Sequence, residues 1–397
     1  MAGEPSLCIS TLDLAFFQRG GVVTKSLALA RVAARSGFAP FFLTPSVDLH
    51  RTARRTLAGT HPPAMREIAF EGYRCVQMGA RFPELECRAH RFHTKRLRQL
   101  LGRGTACVMV SGNNHAARPF LDVGRPFTMW PGSTFWEDCR HRVISAPWGL
   151  RKVLDLAGRP CSERLERRLF AAARRIAGDT RYTRDCVLRL DASWASKTSV
   201  VPVPVDTDVY RPGEGTPERQ ILFIGRLADP RKNLALLLDA FALAGSRAAD
   251  LRLALIGSGD ASVHALLSHH RCAGRINWLA NITEQEKIQQ LRASLALVIP
   301  SFQEGFGIIG AEALACGTPV ISTPCGGPED YVVTGQTGNL LGAFDAPEMA
   351  EAILEIANDP ERRRRMSREA RALAEARLSE RAVEPELRRL VEAAVPS

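Results

Sequence analysis

The chain has 397 residues, 45% of them hydrophobic and 24% charged, a composition typical of a globular protein of two domains. No apolar run approaches the roughly 18 residues that a membrane-spanning helix needs, and we expect no signal peptide because the N-terminus lacks a basic start followed by an apolar run. The net charge of +11 comes mainly from 47 Arg spread along the chain, with only six Lys. Because no aromatic-interleaved basic segment or recognition helix accompanies this charge, we expect no nucleic-acid partner.

The ten cysteines are scattered, without a CxxC pair or a Cys/His cluster at zinc spacing. This distribution predicts reduced, mostly buried thiols in a cytoplasmic protein, and no structural metal. Three basic segments, at residues 88–103, 163–175 and 361–373, fit solvated helix faces. Attraction of these segments to anionic lipid or to phosphorylated substrates stays open.

Short apolar runs alternate with longer helical patterns along the chain. The first half contains a glycine turn, QRGGVVT, and a helix, KSLALARVAARSG, that is predicted to end at Gly37. Its predicted strands are SLCIS, APFFLT, ACVMVSG, RPFTMW, RRIAGDT and TSVVPVPV. The second half shows the same alternation of predicted strands and helices. Its predicted strands are RQILFIGRL, LRLALIGSG, INWLA, LALVIPS, PVISTP and TGNLL. Apolar strands separated by helices predict an α/β fold of two doubly wound, mostly parallel sheets with a cleft between the domains.

A proline-rich segment, residues 201–218, marks the predicted boundary because proline disfavours helix. The DTD sequence inside it predicts a turn. After TGNLL the chain has a purely helical pattern. The predicted limits are residues 1–205 for an N-terminal domain, 206–375 for a C-terminal domain and 376–397 for a last helix.

The segment PSFQEGFGIIGAEALACGTP, residues 300–319, sets two carboxylates around a glycine-rich loop. The loop follows the predicted strand LALVIPS, and a helix is predicted to begin near Gly307 or Ile308. The first amides of that helix lack intrahelical partners, and the glycines let a ligand approach the backbone. Glu304 lies before the helix and Glu312 about one turn inside it, so both can reach a ligand at the carboxyl edge of the sheet.

A second segment, FIGRLADPRKN, brings two cations to the same predicted sheet edge. Arg226 follows the strand ILFIG, and Lys232 comes six residues later, near a helix start at which Asp229 and Pro230 fit the cap and first positions. Two cations at this edge can neutralise a diphosphate. An exposed loop with ordinary surface charges is the alternative reading.

Together these segments resemble the retaining GT-B glycosyltransferases of family 4. The C-terminal half carries the resemblance through FIGRL, KN, LLLDAF, IGSG, the 300–319 segment, VISTPCGGPEDYV and GQTGNLL. The resemblance extends more loosely into the N-terminal half through the segments GGVVTKSLALARVAARSGF, TRYTRD and VPVPVDTDVYRP. The resemblance implies two Rossmann-like domains facing a central cleft, an acceptor site in the first, a nucleotide-sugar site in the second, and a last helix that crosses back.

The resemblance also assigns roles to residues. It implies that Arg226 and Lys232 hold the donor diphosphate, that Glu304 contacts the donor sugar, and that Glu312 contacts the ribose. The donor site that it implies consists of Gly20, Gly21, Gly225, Phe306, Gly307, Ile308, Ile309 and Glu312. We expect no metal, because the two cations and the helix-start amides can neutralise the diphosphate and the DTD sequence lies in the predicted turn. We also expect no cofactor beyond the nucleotide-sugar co-substrate, for which the resemblance favours a UDP-sugar.

One position departs from the family pattern. A histidine is usual after a strand of the first domain, and Trp130 stands here instead. His115, after the preceding strand, is the candidate catalytic replacement, with a structural histidine as the alternative. Asn113, Asn114, Trp130 and Ser133 are candidate acceptor-binding residues.

The predicted activity is metal-independent, retaining transfer of a sugar to an acceptor hydroxyl. A small molecule, a glycan or a lipid-linked acceptor all stay open, the last with peripheral contact at the inner membrane face. The alternatives are a sugar-nucleotide epimerase of the same architecture and a non-catalytic nucleotide-sugar-binding protein.

Overall fold

The computed structural model describes residues 5–14, 20–52, 54, 57, 59, 64–83, 86–145 and 149–396. The chain divides into two compact units, Met1–Pro204 with Val383–Ser397, and Val205–Ala382. The division lies within the proline-rich segment 201–218, where Asp206 accepts a hydrogen bond from the amide of Asp208 in the predicted turn. No helix within the described ranges has both the length and the apolar character needed to cross a bilayer.

The first unit contains an eight-stranded sheet in the order β3-β4-β2-β1-β5-β6-β7-β8. Every neighbouring pair is parallel except β3 with β4. The strands are β1 Ser6–Ser10, β2 Ala39–Pro45, β3 Met65–Phe70, β4 Tyr73–Met78, β5 Ala106–Ser111, β6 Thr128–Pro131, β7 Arg175–Gly178 and β8 Thr198–Val200.

The antiparallel β3–β4 hairpin was not predicted from the sequence. Its two-residue turn, Glu71 and Gly72, has φ angles of 48° and 79°, as hairpins that match the strand twist require. None of the β3 residues is fully buried. β3 therefore lacks the apolar run by which the predicted strands were recognised. β4 was also missed, although its last four residues are buried.

Six further helices lie within the part of the first unit that the structure describes. They are α1 Gly21–Arg35, α2 Thr94–Leu100, α3 Arg118–Asp122, α4 Phe135–Ser145, α5 Leu150–Ala172 and α6 Arg181–Leu190. The predicted end of α1 at Gly37 is confirmed, since Gly37 has φ 82° and its amide bonds the Ala34 carbonyl. Along β1, Leu7 and Ile9 pack into one apolar cluster and Cys8 into another, so the sheet is buried on both faces.

The second unit contains a six-stranded, wholly parallel sheet in the order β11-β10-β9-β12-β13-β14. Its strands are β9 Gln220–Ile224, β10 Arg252–Ile256, β11 Ile276–Leu279, β12 Ala296–Ile299, β13 Val320–Ser322 and β14 Gly338–Leu340. Its helices are α7 Leu234–Arg247, α8 Ala261–Ser268, α9 Glu284–Ala293, α10 Ile308–Ala315, α11 Ala346–Asn358 and α12 Pro360–Leu373.

The last helix, α13 Glu380–Glu392, enters the first unit at Val383. Val383, Leu387 and Leu390 belong to the same apolar cluster as Leu29 of α1. The Thr128 hydroxyl of β6 also donates to the Leu390 carbonyl at 3.2 Å. The end of the chain therefore completes the core of the unit in which the chain begins.

In each sheet the strand order reverses once, between β1 and β5 in the first unit and between β9 and β12 in the second. Ligands of doubly wound sheets bind at such switch points, beyond the carboxyl ends of the strands. The predicted α/β class with two Rossmann-like domains is confirmed. In the second unit the loops after β9 and β12 carry Arg226, Lys232 and Glu304.

Candidate active site

The loop after β9 is built around Asp229. Its carboxylate accepts from the Arg231 amide at 3.0 Å, which caps the short 3-10 helix Pro230–Lys232 as predicted. The same carboxylate pairs with Arg226 at 2.6 Å and with Arg231 at 3.1 Å. Burial raises the pKa of Asp229, but the hydrogen bonds and charges of Arg231 and Arg226 outweigh burial and lower it. The Arg226 side chain is 59% exposed, although it pairs with Asp229.

The loop after β12 is fixed by backbone bonds to the segment after β13. The Glu304 amide donates to the Cys325 carbonyl and the Gly327 amide donates to the Glu304 carbonyl, both at 2.8 Å. The Phe302 amide reaches back to the Arg231 carbonyl at 2.7 Å and joins the two loops. Glu304 is therefore held at a defined place beside the β9 loop.

Lys232 and Glu304 form an ion pair across the switch point. Lys232 Nζ lies 2.5 Å from Glu304 Oε1, and the side chains are 17% and 14% exposed. The Ser301 hydroxyl donates to the same oxygen at 2.6 Å. Burial raises the pKa of Glu304, but Lys232 and Ser301 outweigh burial and lower it, so the carboxylate is ionised at neutral pH.

Helix α10 begins at Ile308, as predicted, after Gly307 in the left-handed conformation with φ 74°. A Cβ at Gly307 would lie 2.9 Å from the Tyr331 hydroxyl, so both conformation and space favour glycine. That hydroxyl donates to the carbonyls of Phe306 at 3.0 Å and Gly307 at 2.7 Å. The Phe306 ring is buried against Tyr331, while Ile308 and Ile309 are half-buried.

Glu312 lies one turn further along α10, and its side chain is only 8% exposed. Its Oε2 accepts from Lys287 Nζ at 2.9 Å, and the same ammonium lies 2.7 Å from Glu284 Oε1. The Tyr210 hydroxyl donates to Glu284. Burial raises the pKa of Glu312 above its ordinary value, and Lys287 and Tyr210 oppose that rise.

The sequence analysis did not identify Ser301, Tyr331, Lys287 or Tyr210 as part of this site. Tyr331 and Lys287 come from other elements of the unit, and only the fold brings them to α10. Ser301 stands two residues after the end of β12 and three residues before Glu304, and that position was the one local signal available. Gly225 directly follows β9, and a Cβ there would lie 3.5 Å from Lys232 Cε.

In the first unit, His115 lies after β5 and is fully buried. Its Nε2 lies 3.1 Å from the Ser162 carbonyl oxygen, and its ring stacks on Phe135 with centroids 5.4 Å apart. Asn113 caps the turn that contains His115 by accepting from its amide. These contacts are those of a structural histidine, and a catalytic role for His115 stays a prediction.

Asn114 and Ser133 are also buried, and they meet around Glu166 of α5. Asn114 Nδ2 donates to the Ser133 carbonyl at 2.8 Å and to Glu166 Oε1 at 2.7 Å. The Phe135 amide donates to the same oxygen at 2.6 Å, at the start of α4. Burial raises the pKa of Glu166 to about 7. The contacts of the two candidate residues are therefore with the protein itself.

Trp130 is fully buried in β6, with its Nε1 donating to the Val201 carbonyl at 3.0 Å. Its carbonyl accepts from Lys25 Nζ at 3.0 Å, and Lys25 pairs with Asp179 at 2.5 Å. This geometry places the Trp130 ring in the core of the first unit. An acceptor-binding role for Trp130 stays a prediction. Gly20 and Gly21 form the cap and first residue of α1, after the switch-point strand β1.

The first unit also holds a cavity of about 300 Å³ between α4, α5 and α6, and the second a cavity of about 420 Å³ beside α9. Neither cavity is lined by Arg226, Lys232 or Glu304. In the described part of the chain, no three His, Cys, Asp or Glu side chains are grouped to hold a metal ion. All ten cysteines lie in that part as free thiols, and all except Cys161 are buried, as the sequence predicted.

Comparison with known proteins identifies the second unit. Residues 206–373 match the family described as glycosyl transferases group 1. The chain is 29% identical over 218 residues to D-inositol 3-phosphate glycosyltransferase 2 of Catenulispora acidiphila, covering 50% of this chain and 51% of the relative. It is 31% identical over 229 residues to D-inositol 3-phosphate glycosyltransferase of Rhodococcus opacus, covering 53% and 51%. The chain thus spans about half the length of the curated relatives it matches.

Solved structures are similar over nearly the whole chain. Sucrose-phosphate synthase from Thermosynechococcus elongatus aligns with a TM-score of 0.75 at 18% identity, over 98% of both chains. HepE of Anabaena, solved in complex with UDP-glucose, aligns with a TM-score of 0.69 at 16% identity, over 98% of this chain and 99% of its own. At such identities the similarity establishes the fold. Residues 206–373 match the glycosyl transferases group 1 family, and the chain has the two-unit fold of the GT-B glycosyltransferases, as the resemblance seen in the sequence predicted.

Proposed function

We propose that the protein is a retaining, metal-independent glycosyltransferase that moves a sugar from a nucleotide-diphosphate donor, with UDP-sugars favoured, to an acceptor hydroxyl. The matched relatives carry glycosyltransferase names, and HepE was solved with UDP-glucose. The proposal includes a cytoplasmic location, acceptor binding in the first unit, and contact with the inner membrane face if the acceptor is lipid-linked.

The observation that carries the proposal is the Lys232–Glu304 pair at the switch point of the second sheet. The Arg226 side chain on the same loop is 59% exposed. The start of α10 at Gly307 and Ile308 offers backbone amides three and four residues beyond Glu304 on the chain. Cations, a carboxylate and helix-start amides at one sheet edge suit a diphosphate joined to a polyhydroxylated sugar.

The reaction follows from these groups. The bond between the anomeric carbon and the diphosphate oxygen breaks, which leaves positive charge on the sugar and negative charge on the departing nucleoside diphosphate. Arg226, Lys232 and the α10 amides stabilise that leaving group by fixed electrostatics. The acceptor oxygen attacks from the side that the diphosphate leaves, so the configuration is retained, and its proton passes to the leaving phosphate.

In this proposal Glu304 accepts hydrogen bonds from the hydroxyls of the donor sugar, and Glu312 accepts them from the hydroxyls of the ribose. The Lys232 partner of Glu304 keeps that carboxylate ionised, and a sugar hydroxyl donates best to an ionised acceptor. Once a diphosphate is bound, Lys232 is shared between the phosphate and Glu304.

The test begins with calorimetric binding of UDP, GDP, dTDP, ADP and CDP in the presence of a chelator. The matching nucleotide sugars are then incubated with and without a panel of acceptors, and released nucleoside diphosphate is quantified. We expect UDP to bind without metal and release to require an acceptor. Magnetic resonance of the product should show the anomeric configuration of the donor.

The other outcomes identify the alternatives. Release of nucleoside diphosphate from a UDP-sugar without any acceptor, together with an epimeric sugar, would favour the epimerase. Binding without turnover on any acceptor would favour the binding protein. No binding of any of the five nucleotides would contradict the proposed donor site.

A further inference from the structure

We propose that Lys287 and Tyr210 are positioning residues that hold Glu312 ionised and oriented for the ribose of the donor. This inference rests on the proposed function and adds a specific means by which the site recognises the ribose. The resemblance assigned neither residue to the donor site, although Tyr210 lies in the segment VPVPVDTDVYRP. Both reach Glu312 through the fold.

The first step is the placement of Lys287 between two carboxylates. Its ammonium lies 2.7 Å from Glu284 Oε1 and 2.9 Å from Glu312 Oε2. The lysine side chain is 17% exposed, and that of Glu312 is 8% exposed. A carboxylate as deeply buried as Glu312 is costly to ionise without a cation in contact. Lys287 supplies that cation from α9, the neighbouring helix in chain order.

The second step is the aromatic residue that packs on Lys287. The Lys287 ammonium lies 5.1 Å from the centroid of the Tyr210 ring, within the range of a cation–π contact. The Tyr210 hydroxyl donates to Glu284 and also helps to lower the pKa of Glu312. The tyrosine therefore restrains Lys287 and the two carboxylates together.

The third step is the anchoring of Tyr210 to the helix that carries Glu312. Arg371 Nη1 donates at 2.8 Å to the Tyr210 carbonyl and also at 2.8 Å to the carbonyl of Ala315, the last residue of α10. Arg292 of α9 donates to the Arg211 carbonyl at 2.6 Å. The segment that bears Tyr210 is thus bonded to both helices of the network.

These contacts leave Glu312 able to accept further hydrogen bonds. An ionised carboxylate has about four lone-pair positions, and Lys287 occupies one at Oε2. The remaining positions can accept from the hydroxyls of a ribose. Loss of Lys287 would raise the pKa of Glu312 further, and a protonated carboxyl accepts a diol poorly.

The experiment measures binding of UDP and of 2′,3′-dideoxy-UDP by calorimetry. The proteins are the wild type, Lys287→Met, Glu312→Gln, the double variant, and Lys95→Met as a control that makes the same change on an exposed lysine of α2. We expect Lys287→Met to weaken UDP binding about tenfold, the equivalent of one pKa unit. Binding of the dideoxy analogue should stay within about twofold, since it presents no hydroxyl to Glu312.

Two further readouts separate positioning from a general structural effect. The double variant should bind UDP no more weakly than Glu312→Gln alone, because Lys287 acts through Glu312. Relative to Glu312→Gln, in which the nucleotide phosphate titrates in the same way, Lys287→Met should lose further UDP affinity as pH falls, because its Glu312 takes up a proton more readily. If Lys287→Met does not fold, Tyr210→Phe keeps the ring and should show the same selective loss for UDP, about threefold.

The failures are distinguishable. If wild-type protein binds no UDP, the proposed function fails in its favoured form, and the inference fails with it. If wild-type protein binds UDP and Lys287→Met binds it equally well, the inference alone is overturned. Equal losses of affinity for UDP and the dideoxy analogue would overturn it too, because they would show a change unrelated to the ribose.

Discussion

Three of the six lysines pair with carboxylates at or near the sheets, and the pairs differ between the two units. In the first unit Lys25 and Asp179 are 2% and 4% exposed, and Lys25 also bonds the Trp130 carbonyl. In the second unit Lys232 and Glu304 are 17% and 14% exposed, with Arg226 beside them at 59%. Similar chemistry is therefore closed to solvent in one unit and open in the other.

The difference in exposure between the two ion pairs indicates which of the two sheets offers charged groups to a ligand. The buried pair joins α1 to the ends of β6 and β7, so its contacts are all used by the fold. The partly exposed pair leaves hydrogen-bonding positions on Glu304 to a ligand. Lysine at these places, in a chain whose other cations are nearly all arginine, fits a compact single charge aimed at one carboxylate.

The largest expected effect comes from breaking the buried pair. Lys25→Met should lower the free energy of unfolding of the first unit by about 3 to 5 kcal/mol, because the buried carboxyl of Asp179 loses its cation and must stay unpaired or take up a proton. Urea unfolding followed by hydrogen exchange in α1 and β7 measures the change unit by unit. The double variant Lys25→Met with Asp179→Leu should recover most of the loss, and a double variant as unstable as the single one would contradict this reading.

Removing the guanidinium of Arg226 should lower turnover and leave stability nearly unchanged. Arg226→Ala should lower kcat about 10² to 10³-fold through loss of leaving-group stabilisation, with little change in unfolding. Arg252→Ala is the matched control, since Arg252 is exposed at the amino end of the neighbouring strand β10. Steady-state kinetics with the best donor measure both variants. Equal rates for Arg226→Ala and wild type would refute the role proposed for Arg226.

The buried carboxyl of Glu166 provides a test by pH. Burial raises its folded-state pKa from 4.5 to about 7, so the folded state holds the proton more tightly than the unfolded state. Its stabilising contribution is thus complete below about pH 4.5 and is lost as pH rises through about 7. Glu166→Gln cannot titrate, so the stability of wild type relative to this variant should fall across that window.

Denaturation at several pH values, with Glu163→Gln on the same helix as a control, measures this difference. A stability difference between wild type and Glu166→Gln that rose with pH would mean that the carboxyl is held ionised in the fold. The comparison between the units would then weaken, because the first unit would contain an ionised carboxylate available to a ligand.

Much of the second unit was predictable from sequence because its chemistry is local. Asp229 and Pro230 indicate the start of the 3-10 helix Pro230–Lys232, and Gly307 indicates the start of α10. Each signal lies within a few residues of the groups that it positions. Lys287 was not predictable as a partner of Glu312. It lies 25 residues away and reaches Glu312 only through the packing of α9 against α10.

In the first unit the sequence located the candidates but not their burial. His115 and Asn114 follow the switch-point strand β5, as expected of ligand-binding residues. Their partners, Ser162 and Glu166, come from α5, about 50 residues later. A polar residue after a strand looks the same in sequence whether a helix covers it or solvent does, so only the structure could separate the two cases.

The smallest expected losses of stability come from removing two helix caps, one buried in the first unit and one exposed in the second. Thr180 caps α6 in the first unit and is fully buried, with its hydroxyl accepting from the Thr183 amide at 3.2 Å. Thr283 caps α9 in the second unit within an exposed capping box with Glu286. Thr283→Ala should cost about 0.5 to 1 kcal/mol and Thr180→Ala about 1 to 2 kcal/mol, because the buried amide cannot turn to water. Hydrogen exchange in the first turn of each helix measures both costs, and equal costs would show that burial does not govern the strength of these caps.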